Sequence, residues 1–583
     1  MRIVVQIADL ARAAQSIASL ANLAAGLRDA EIEAVFHQDA VEAVLRGSPY
    51  EETIRGLLGR VKIVACAAAL RARGRSPQDL IDGVGVVEAG VVELAKRASE
   101  GVAIPEALSF KETGRRSGVY DLAVLGGGSA GFAAAIKAAE LGGKVVLINT
   151  GLPLGGTCVN VGCVPTKYLV RAAELVKRAS SKYFKGIDAR VDVKLSELLR
   201  GASEVSAQLR KEKYADLLDY YGIDLVEGLG KLEGPGRIKV GGKEVEAKSV
   251  VVATGSRPVV PPIKGLEEVK YYTNENLFEL GEPSSVVFIG GGAISAELSQ
   301  ALSRLGVKTT IFARGRLLKY EEEVASEYIE EVLKSEGVEI IHDEAIAVRN
   351  IDGGVEVVGR NGSRARGEAL FVAAGRRPNS EAVAGLIKLN PDGSIKVNER
   401  METSLPGVYA AGDVTGGPLG QGRYLENAAA RQGVVAAVNA MGGKAEFNPL
   451  AVPRVVFTDP PVASVGLREE DMLASGIGCV CTLAPISAVA AAYASGELEG
   501  FIKINTYPET WRVSMRRGRI AGAVMAAPRA EELIHIFALA VRHGLTVDDL
   551  IDLVPAFPSF GEAARLAAIA FERDPTKLSC CAG

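Results

Sequence analysis

Short apolar runs alternate with amphipathic stretches over the first hundred residues of the chain. The apolar strand patterns cover residues 2–7, 31–37 and 61–66. A helical pattern follows the first run over residues 8–26, and a second helix start, with proline at its first helical position, lies at residues 76–79. This alternation predicts a small α/β domain with a parallel sheet over residues 1–108.

Two units of strand, glycine-rich turn, helix and strand follow. Their strands cover residues 119–125 and 144–148 in the first unit, and 285–289 and 308–312 in the second. Glycines between a strand and a helix let a pyrophosphate approach the backbone N–H groups at the helix N-terminus, so both units are predicted to bind nucleotides. The candidate contacts are Gly126, Gly128, Ser129, Ala130 and Gly131 in the first turn, and Gly290, Gly292 and Ile294 in the second.

The last part of the chain, from about residue 453, carries a different pattern. Strands are predicted over residues 500–506 and 519–525, and helices over residues 530–543 and 561–571. Residues 109–118 show no periodicity, which is typical of a linker.

Composition narrows the classes of protein that fit these elements. The 583 residues carry 67 Lys and Arg against 71 Asp and Glu, a net charge of −4, so nucleic acid is not an expected partner. No apolar run approaches the roughly 18–20 residues that span a bilayer, and no signal-peptide pattern opens the chain, so we expect a cytoplasmic protein without membrane contacts. The cysteines, too few for a disulfide scaffold, favour redox or metal chemistry; they are Cys66, Cys158, Cys163, Cys479, Cys481, Cys580 and Cys581.

The residue after the second strand distinguishes the two nucleotide sites. In the first unit it is Asn149, which can hydrogen-bond a ribose hydroxyl without charge assistance. In the second unit, Arg314 and Arg316 stand where a carboxylate would select NADH, and two guanidinium groups can hold a 2′-phosphate. The pattern favours NADPH, and the alternative is a solvated charged turn.

The stretch from Gly155 to Lys167 carries the most specific chemistry. Cys158 and Cys163 lie five residues apart at a glycine-rich entry to a helix, where they can form a disulfide and where the helix dipole and Lys167 lower a thiolate pKa. This stretch resembles the redox-active disulfide of the flavin-dependent pyridine nucleotide–disulfide oxidoreductases. The resemblance implies that Cys163 faces FAD, that Cys158 is the interchange thiol, and that Lys167 pairs with Glu297. A purely structural disulfide is the alternative.

Two further stretches resemble the same family. Residues 251–258, which include Thr254 and Gly255, are similar to the strand and turn that leave its FAD domain. Residues 403–413 are similar to its second FAD fingerprint, in which Asp413 would accept a hydrogen bond from a ribityl hydroxyl. The resemblance also implies cofactor contacts at Gly156, Thr157, Lys167 and Gly375.

The resemblance implies an α/β fold with two Rossmann-like nucleotide-binding domains and an α+β dimerisation domain, preceded by the small α/β domain. The expected boundaries are 1–108 for the N-terminal domain, 109–118 for the linker, 119–263 and 386–450 for the FAD domain, 264–385 for the NADPH domain, and 451–583 for the dimerisation domain with its tail.

The C-terminal sequence bears on the substrate. Members of the family that reduce disulfides carry a histidine base where this chain has Phe557, and a phenyl ring cannot move protons. The terminal pair Cys580-Cys581 resembles the tail of the mercury(II)-reducing members. That likeness implies a homodimer that binds Hg(II)–thiol complexes on Cys580 and Cys581 of one subunit. The metal would then pass to Cys158 and Cys163 of the other subunit, and Tyr214 would lie near it.

Three other cysteines leave alternatives open. The stretches 64–74 and 90–94 are similar to DsrE-like sulfur-relay domains, which implies that Cys66 could carry a persulfide or pass on a thiophilic metal; a buried structural cysteine is the alternative. A persulfide, polysulfide or CoA-disulfide reductase fed by Cys66 is therefore the second hypothesis, and an N-terminal binding module without chemistry is the third. Cys479 and Cys481, two apart in an apolar strand, are predicted to be small buried hydrophobes.

Overall fold

A computed structural model describes residues 2–89 apart from 8–9, 11–12 and 28–29, and residues 93, 119–417, 424–513 and 517–579. The chain divides into two compact units, Met1–Arg116 and Ser117–Gly583. The predicted linker over 109–118, the stretch 90–94 apart from Glu93, and the tail cysteines Cys580 and Cys581 lie outside the described residues.

The first unit is built on a four-stranded parallel sheet in the order β1-β2-β3-β4. Its strands are β1 (Arg2–Ile7), β2 (Glu31–Phe36), β3 (Val61–Cys66) and β4 (Gly85–Val87), and its helices are α1 (Ala13–Gly26), α2 (Glu51–Leu57) and α3 (Ala67–Ala72). Ile7, Ile32 and Phe36 are buried in its core. The predicted parallel α/β arrangement is present.

One predicted element of this unit is wrong. The helix start at residues 76–79 forms only a three-residue 3-10 turn, Pro77–Asp79. Ser76 and Asp79 cap each other, but Leu80 is extended and forms a β-bridge with Leu45, so the chain leaves the helical conformation at once. The capping residues are therefore used to make a turn.

The second unit contains the remaining numbered elements. Its strands are β5 (Tyr120–Leu125), β6 (Val145–Asn149), β7 (Asp224–Glu227), β8 (Gly230–Gly234), β9 (Arg237–Val240), β10 (Lys243–Val252), β11 (Ser256–Pro258), β12 (Ser285–Ile289), β13 (Lys308–Ala313), β14 (Glu339–His342), β15 (Ala345–Ile351), β16 (Gly354–Gly359), β17 (Arg364–Gly367), β18 (Ala369–Val372), β19 (Arg376–Pro378), β20 (Val408–Ala410), β21 (Arg454–Val456), β22 (Val462–Gly466), β23 (Val480–Pro485), β24 (Phe501–Thr506) and β25 (Ile520–Ala526). Its helices are α4 (Ser129–Glu140), α5 (Gly156–Val161), α6 (Cys163–Ser180), α7 (Leu195–Arg210), α8 (Asp216–Tyr221), α9 (Ala293–Arg304), α10 (Glu323–Ser335), α11 (Glu426–Ala440), α12 (Glu469–Ala474), α13 (Ala490–Ser495), α14 (Thr510–Val513), α15 (Ala530–His543), α16 (Val547–Ile551) and α17 (Glu562–Ile569).

Two sheets carry the glycine-rich turns, and the strands next to each turn pair in parallel; in the first sheet, β9 and β8 are added by antiparallel pairing. The first has the order β7-β6-β5-β10-β9-β8, with β20 also paired to β10, and the second has the order β14-β13-β12-β18. In each sheet the glycine-rich turn follows a central strand, β5 or β12, and the helix behind it begins at the carboxyl end of the sheet. Ligands bind at this edge of open parallel α/β sheets.

The last domain is an antiparallel sheet in the order β21-β22-β25-β24-β23, backed by α15 and α17. Met525, Ile534 and Phe537 are fully buried between the sheet and α15. The predicted fold class, two Rossmann-like domains with an α+β domain and a small α/β domain, is confirmed. None of the helices within the described ranges combines the length and apolarity that crossing a bilayer requires.

Candidate active site

Two cysteine thiols face each other where one helix ends and the next begins. Cys158 lies in α5, and Cys163 is the first residue of α6. Gly162 joins the two helices with φ −132° and ψ −114°, and a Cβ atom there would lie 2.8 Å from the carbonyl oxygen of Thr157. Glycine at this position therefore allows the sharp turn that brings the two thiols together.

The two thiols differ in acidity. The Cys158 thiol donates a hydrogen bond to Cys163, and this bond, together with the nearby Lys167 ammonium, lowers the pKa of Cys163. The same bond and burial raise the pKa of Cys158 well above its usual range. Cys163, an exposed residue, is therefore the more acidic of the two thiols, and Cys158 is the one that keeps its proton more strongly.

Lys167 is held by a partner from a distant helix. Its Nζ atom lies 2.6 Å from Oε2 of Glu297 on α9, and it also lies over the ring of Phe457 at 4.5 Å. The other oxygen of Glu297 accepts a hydrogen bond from the backbone N–H of Phe457 at 2.8 Å. Glu297 is buried, so the pair fixes the cation beside the thiols with little freedom to move.

The same face of α9 holds the segment that opens the last domain. Gln300, one turn after Glu297, accepts a hydrogen bond from the N–H of Asp459 at 2.8 Å. Arg304, one turn further, donates to Oδ2 of Asp459 at 2.8 Å. The three side chains share a helical face because they lie at i, i+3 and i+7. This contact joins the last domain to the active-site cation.

The first glycine-rich turn packs directly on the cysteine stretch. The carbonyl oxygen of Gly127 accepts a hydrogen bond from the N–H of Gly155 at 2.8 Å. Gly156 has φ +58°, and a Cβ atom on it would lie 2.8 Å from Cα of Gly128. The close approach of the two backbones therefore requires glycine at Gly156.

The glycines of the first turn have separable roles. A Cβ atom at Gly126 would lie 2.3 Å from the carbonyl oxygen of Ala253, and one at Gly131 would lie 1.8 Å from that of Gly126. Both glycines are therefore required by packing. At Gly128 the nearest heavy atom is 3.8 Å away, so this residue leaves open space in front of the N-terminus of α4, which begins with Ser129 and Ala130.

Asn149 binds the turn itself. Its Oδ1 atom accepts from the N–H of Gly127 at 3.0 Å, and its Nδ2 atom donates to the carbonyl oxygen of Leu152 at 3.1 Å. The amide therefore fixes the shape of the glycine-rich turn. Its oxygen keeps a second lone pair that can accept from a hydroxyl.

A partly buried polar network lies at the same carboxyl edge of this sheet. Oδ2 of Asp413 accepts a hydrogen bond from the hydroxyl of Ser256 at 2.5 Å, and burial raises the pKa of Asp413. Arg376 donates to the same hydroxyl at 2.8 Å, to Asn274 at 3.2 Å and to Thr157 at 3.4 Å. The sequence reasoning found Asp413 and Thr157 but missed Arg376, which joins them; the residues it contacts lie more than 100 positions away in the chain.

Two other predicted positions lie next to this network. The hydroxyl of Thr254 donates to the carbonyl oxygen of Asn379 at 2.6 Å, and Gly255 has φ +69°. Gly375 is exposed with φ +124°, and its carbonyl oxygen accepts from the N–H of Val259 at 2.9 Å. These residues lie beside the paired strands β11 and β19, where the chain passes between the two nucleotide-binding domains.

The second glycine-rich turn repeats the first with one difference. A Cβ atom at Gly290 would lie 2.3 Å from the carbonyl oxygen of Ala373, whereas Gly292 has nothing within 4 Å. Ile294 is the second residue of α9 and is half-buried. Ser295 replaces the third glycine and is fully buried, and its hydroxyl has no hydrogen-bond partner among the described residues. Because nothing lies within 4 Å of a Cβ atom at Gly292, the second turn, like the first, leaves open space at its middle glycine.

The two arginines after β13 have different surroundings: Arg314 is exposed, and Arg316 forms an ion pair. Arg314 is exposed, as a group that meets a ligand should be. Arg316 instead lies 3.2 Å from the carboxylate of Glu470 and donates to the carbonyl oxygen of Glu321 at 3.2 Å. Because Glu470 supplies a carboxylate from α12, the Arg316 guanidinium is occupied within the protein. The prediction that both arginines hold a phosphate is narrowed to Arg314.

These features agree with comparisons to known proteins. A sequence model of the pyridine nucleotide-disulphide oxidoreductases matches residues 120–441, more than half of the chain, and a model of the dimerisation domain of the same class matches residues 452–568. The chain belongs to the pyridine nucleotide-disulphide oxidoreductase family. The DsrE/DsrF-like family matches residues 1–104, so the predicted likeness of the first unit is also confirmed.

Several relatives are similar over most of their length. The mercuric reductase of Staphylococcus aureus is 37% identical over 481 residues, which cover 80% of this chain and 85% of the relative. That of Shigella flexneri is 38% identical over 483 residues, covering 80% and 83%. Among solved structures, LpdA of Mycobacterium tuberculosis has a TM-score of 0.68 at 28% identity, covering 78% of this chain and 99% of that one. The HOCl-induced flavoprotein disulfide reductase RclA of Escherichia coli has a TM-score of 0.67 at 26% identity, covering 77% and 99%.

Family members use FAD and NAD(P)H, and the residues of this chain fit both groups. The space in front of Gly128 lies at the N-terminus of α4, and a pyrophosphate there would meet free N–H groups and the positive end of the helix. Gly292 at the start of α9 provides the same opening. The carboxyl group of Asp413 supplies a hydroxyl acceptor at the first site.

The residues predicted to meet the metal are described only in part. Tyr214 lies in a π-helical turn, Lys211–Ala215, and burial raises its pKa to about 12. Its ring meets that of Phe132 edge-on at 4.8 Å. Phe557 is 61% exposed. Tyr214 therefore stays protonated at neutral pH and can donate a hydrogen bond.

The remaining cysteines are placed differently from one another. Cys66 is buried at the end of β3, where α3 begins, as expected for a structural cysteine. Cys479 and Cys481 are only half-buried, so the prediction that they are core residues is wrong. Cys481 lies near the start of β23 and Cys479 just before it, and β23 is the edge strand of its sheet among the described residues.

Proposed function

We propose that this protein is an NADPH-dependent mercury(II) reductase. The balanced reaction is NADPH + Hg²⁺ → NADP⁺ + H⁺ + Hg⁰. The observation that carries the proposal is the Cys158–Cys163 pair, two soft sulfurs that meet through a hydrogen bond, with the Lys167 ammonium lowering the pKa of Cys163. Thiolate sulfur is the ligand that soft metal ions prefer. The relatives named mercuric reductase support the choice of metal.

Metal capture follows from thiolate exchange. An incoming complex Hg(SR)₂ meets the exposed Cys163 thiolate, one Hg–S bond forms, and one RS⁻ leaves. Cys158 then loses its proton, forms the second Hg–S bond and releases the second RS⁻, which can take that proton. No step needs a histidine base, in agreement with Phe557 at the position where disulfide-reducing members carry one.

FAD, when bound, supplies the two-electron carrier between the nicotinamide and the metal held by the two cysteines. The residues that would hold it are Gly126, Gly128, Ser129, Ala130, Gly131, Asn149, Gly156, Thr157, Lys167, Thr254, Gly255, Gly375 and Asp413. Those that would hold the nicotinamide nucleotide are Gly290, Gly292 and Ile294. Arg314 would bind the 2′-phosphate of NADPH, because it is the exposed guanidinium after β13.

The second metal-binding pair would come from another subunit. The dimerisation domain over residues 452–568 supports a homodimer, and Cys580 and Cys581 follow it at the C-terminus. In the proposed path, Cys580 and Cys581 of the partner subunit take the metal from solution and transfer it to Cys158 and Cys163. Adjacent cysteines are well suited to this transfer because two thiolates can bind a soft metal and release it by exchange.

A second candidate function is reduction of persulfide, polysulfide or CoA-disulfide substrates. It is favoured by the DsrE/DsrF-like first unit and by Cys66 at the end of its third strand. Comparing NADPH oxidation in the presence of Hg(II)–thiol complexes with that in the presence of polysulfide distinguishes the two. We expect the double substitution Cys580→Ala, Cys581→Ala to slow the first reaction only, whereas loss of polysulfide reduction in Cys66→Ala would favour the second function.

A further inference from the structure

A second group of soft and hard metal ligands lies on the last domain. The Sγ atoms of Cys479 and Cys481 and a carboxylate oxygen of Glu469 all lie within 4.8 Å of one another. The Cys481 thiol donates a hydrogen bond to Oε1 of Glu469 at 3.4 Å. All three residues are half-buried, so the group is shielded from bulk water but reachable.

The local fold explains why these three residues meet. Cys481 lies in the edge strand β23, opposite Asn505 of β24, and Cys479 precedes that strand. Residues two apart in an extended chain face the same side, so both thiols point the same way. Glu469 begins α12, the short helix that follows β22.

The Glu469 carboxylate is oriented by a cation. Its Oε2 atom lies 2.5 Å from Nζ of Lys503, and Lys503 also lies 2.6 Å from Oε2 of Glu322. Lys503 is largely buried, and its contacts hold one oxygen of Glu469 away from the thiols while the other faces them. Metal-binding carboxylates are commonly fixed in this way by a hydrogen bond on the oxygen that does not bind the metal.

An opening leads to the group. A cavity of about 210 Å³ is lined by Val324, Cys481, Thr482, Leu483 and Lys503. Cys481 belongs both to this cavity and to the ligand group, and Lys503, which also lines the cavity, contacts Glu469, so an ion and an exogenous ligand can reach the sulfur from solvent.

We propose that Glu469, Cys479 and Cys481 form a binding site for one thiophilic divalent metal ion of the zinc or cadmium type. A tetrahedral ion with metal–sulfur bonds of about 2.3 Å and a metal–oxygen bond of about 2.1 Å separates its ligand atoms by roughly 3.6–3.8 Å, within the spacing of this group. Three protein ligands leave a fourth position for water or for a free thiol. Both cysteines lose their protons to solvent on binding, and no electrons are transferred.

Such an ion would add a metal bridge between two elements that the Cys481–Glu469 hydrogen bond already joins. It would tie the free edge of the sheet, at β23, to the first residue of α12. The site is separate from the Cys158–Cys163 pair in chain position and in chemistry, and it does not depend on the proposed mercury reaction.

The test measures metal binding by the holoenzyme, which is first reduced and then separated from the excess reductant under argon. Equilibrium dialysis against Zn²⁺ or Cd²⁺ alone measures the ions bound per chain, and cadmium–thiolate ultraviolet absorption reports the sulfur ligands. The double variant Cys479→Ser, Cys481→Ser should bind one ion fewer per chain and lose the matching part of that absorption, with its FAD content and NADPH-dependent activity unchanged. Equal metal content in wild type and double variant would overturn the proposal.

A single substitution tests the site without relying on correct folding of the double variant. Glu469→Gln should weaken binding at this site at least tenfold. Glu470→Gln is the matched control, because Glu470 lies next to it on α12 but contacts Arg316 and Arg468 and not the thiols. Zn²⁺ should also raise the midpoint of thermal unfolding of the wild type and of Glu470→Gln more than that of Glu469→Gln. Equal affinities and equal shifts in the two single variants would contradict the assignment of Glu469.

Discussion

The Lys167 ammonium lies 2.6 Å from the Glu297 carboxylate, although 130 residues separate them in the chain. The pair joins the helix that begins with Cys163 to the helix that follows the second glycine-rich turn. It also sets the charge beside the thiols, since the Cys158 hydrogen bond and then Lys167 are the groups that lower the pKa of Cys163. The two nucleotide-binding domains are therefore linked through the group that controls the reactive sulfur.

Removing the Lys167 charge should make Cys163 less acidic. In Lys167→Met we expect the pKa of the Cys163 thiol to rise, because an adjacent cation no longer stabilises the thiolate. The rate of alkylation of the dithiol enzyme, measured against pH, should therefore shift to higher pH. Lys177→Met is the control, since Lys177 lies on the same helix but pairs with Glu336. An unchanged alkylation profile in Lys167→Met would show that Lys167 does not act on the sulfur.

Two glycine substitutions should separate packing from ligand approach. Gly131→Ala places a methyl group 1.8 Å from a backbone carbonyl oxygen, so we expect a loss of roughly 1–3 kcal/mol in the free energy of unfolding and a lower FAD content. Gly292→Ala meets nothing within 4 Å, so stability and FAD content should stay unchanged while the KM for NADPH rises. Urea unfolding, flavin absorbance and steady-state kinetics measure the three quantities. A normal KM in Gly292→Ala would argue against nucleotide binding at the second turn.

The two arginines after β13 should differ in their effect on nucleotide choice. Arg314→Ala should raise the KM for NADPH about tenfold or more and leave that for NADH nearly unchanged, because only NADPH carries the 2′-phosphate. Arg316→Ala should change the preference less, since that side chain is held by Glu470. The ratio of kcat/KM for the two nucleotides is the measurement. An equal loss of preference in the two variants would show that Arg316 leaves Glu470 when the nucleotide binds.

Local patterns in the sequence predicted many of the helices and strands, because such an element depends mainly on residues that are neighbours in the chain. The arrangement of the later domains was implied by the family resemblance. The helix α15 has the predicted bounds 530–543, and the strands beside both glycine-rich turns lie within a residue or two of prediction. Arg376, the Arg316–Glu470 pair and the contact of Glu469 with Cys481 could not be found in this way, because each joins residues that are distant in the chain or on elements of unknown packing. Cys479 and Cys481 were misjudged because an apolar strand pattern does not reveal whether the strand lies at the edge of its sheet.

Loss of the active-site thiols tests whether they carry the metal. NADPH-dependent release of mercury vapour from a Hg(II)–thiol complex measures the proposed reaction in the holoenzyme. We predict steady release by the wild type, none by Cys158→Ala or Cys163→Ala, and normal FAD content in both variants. Full mercury release by either variant, or rapid NADPH oxidation by the wild type with polysulfide and no mercury release, would contradict the proposed function.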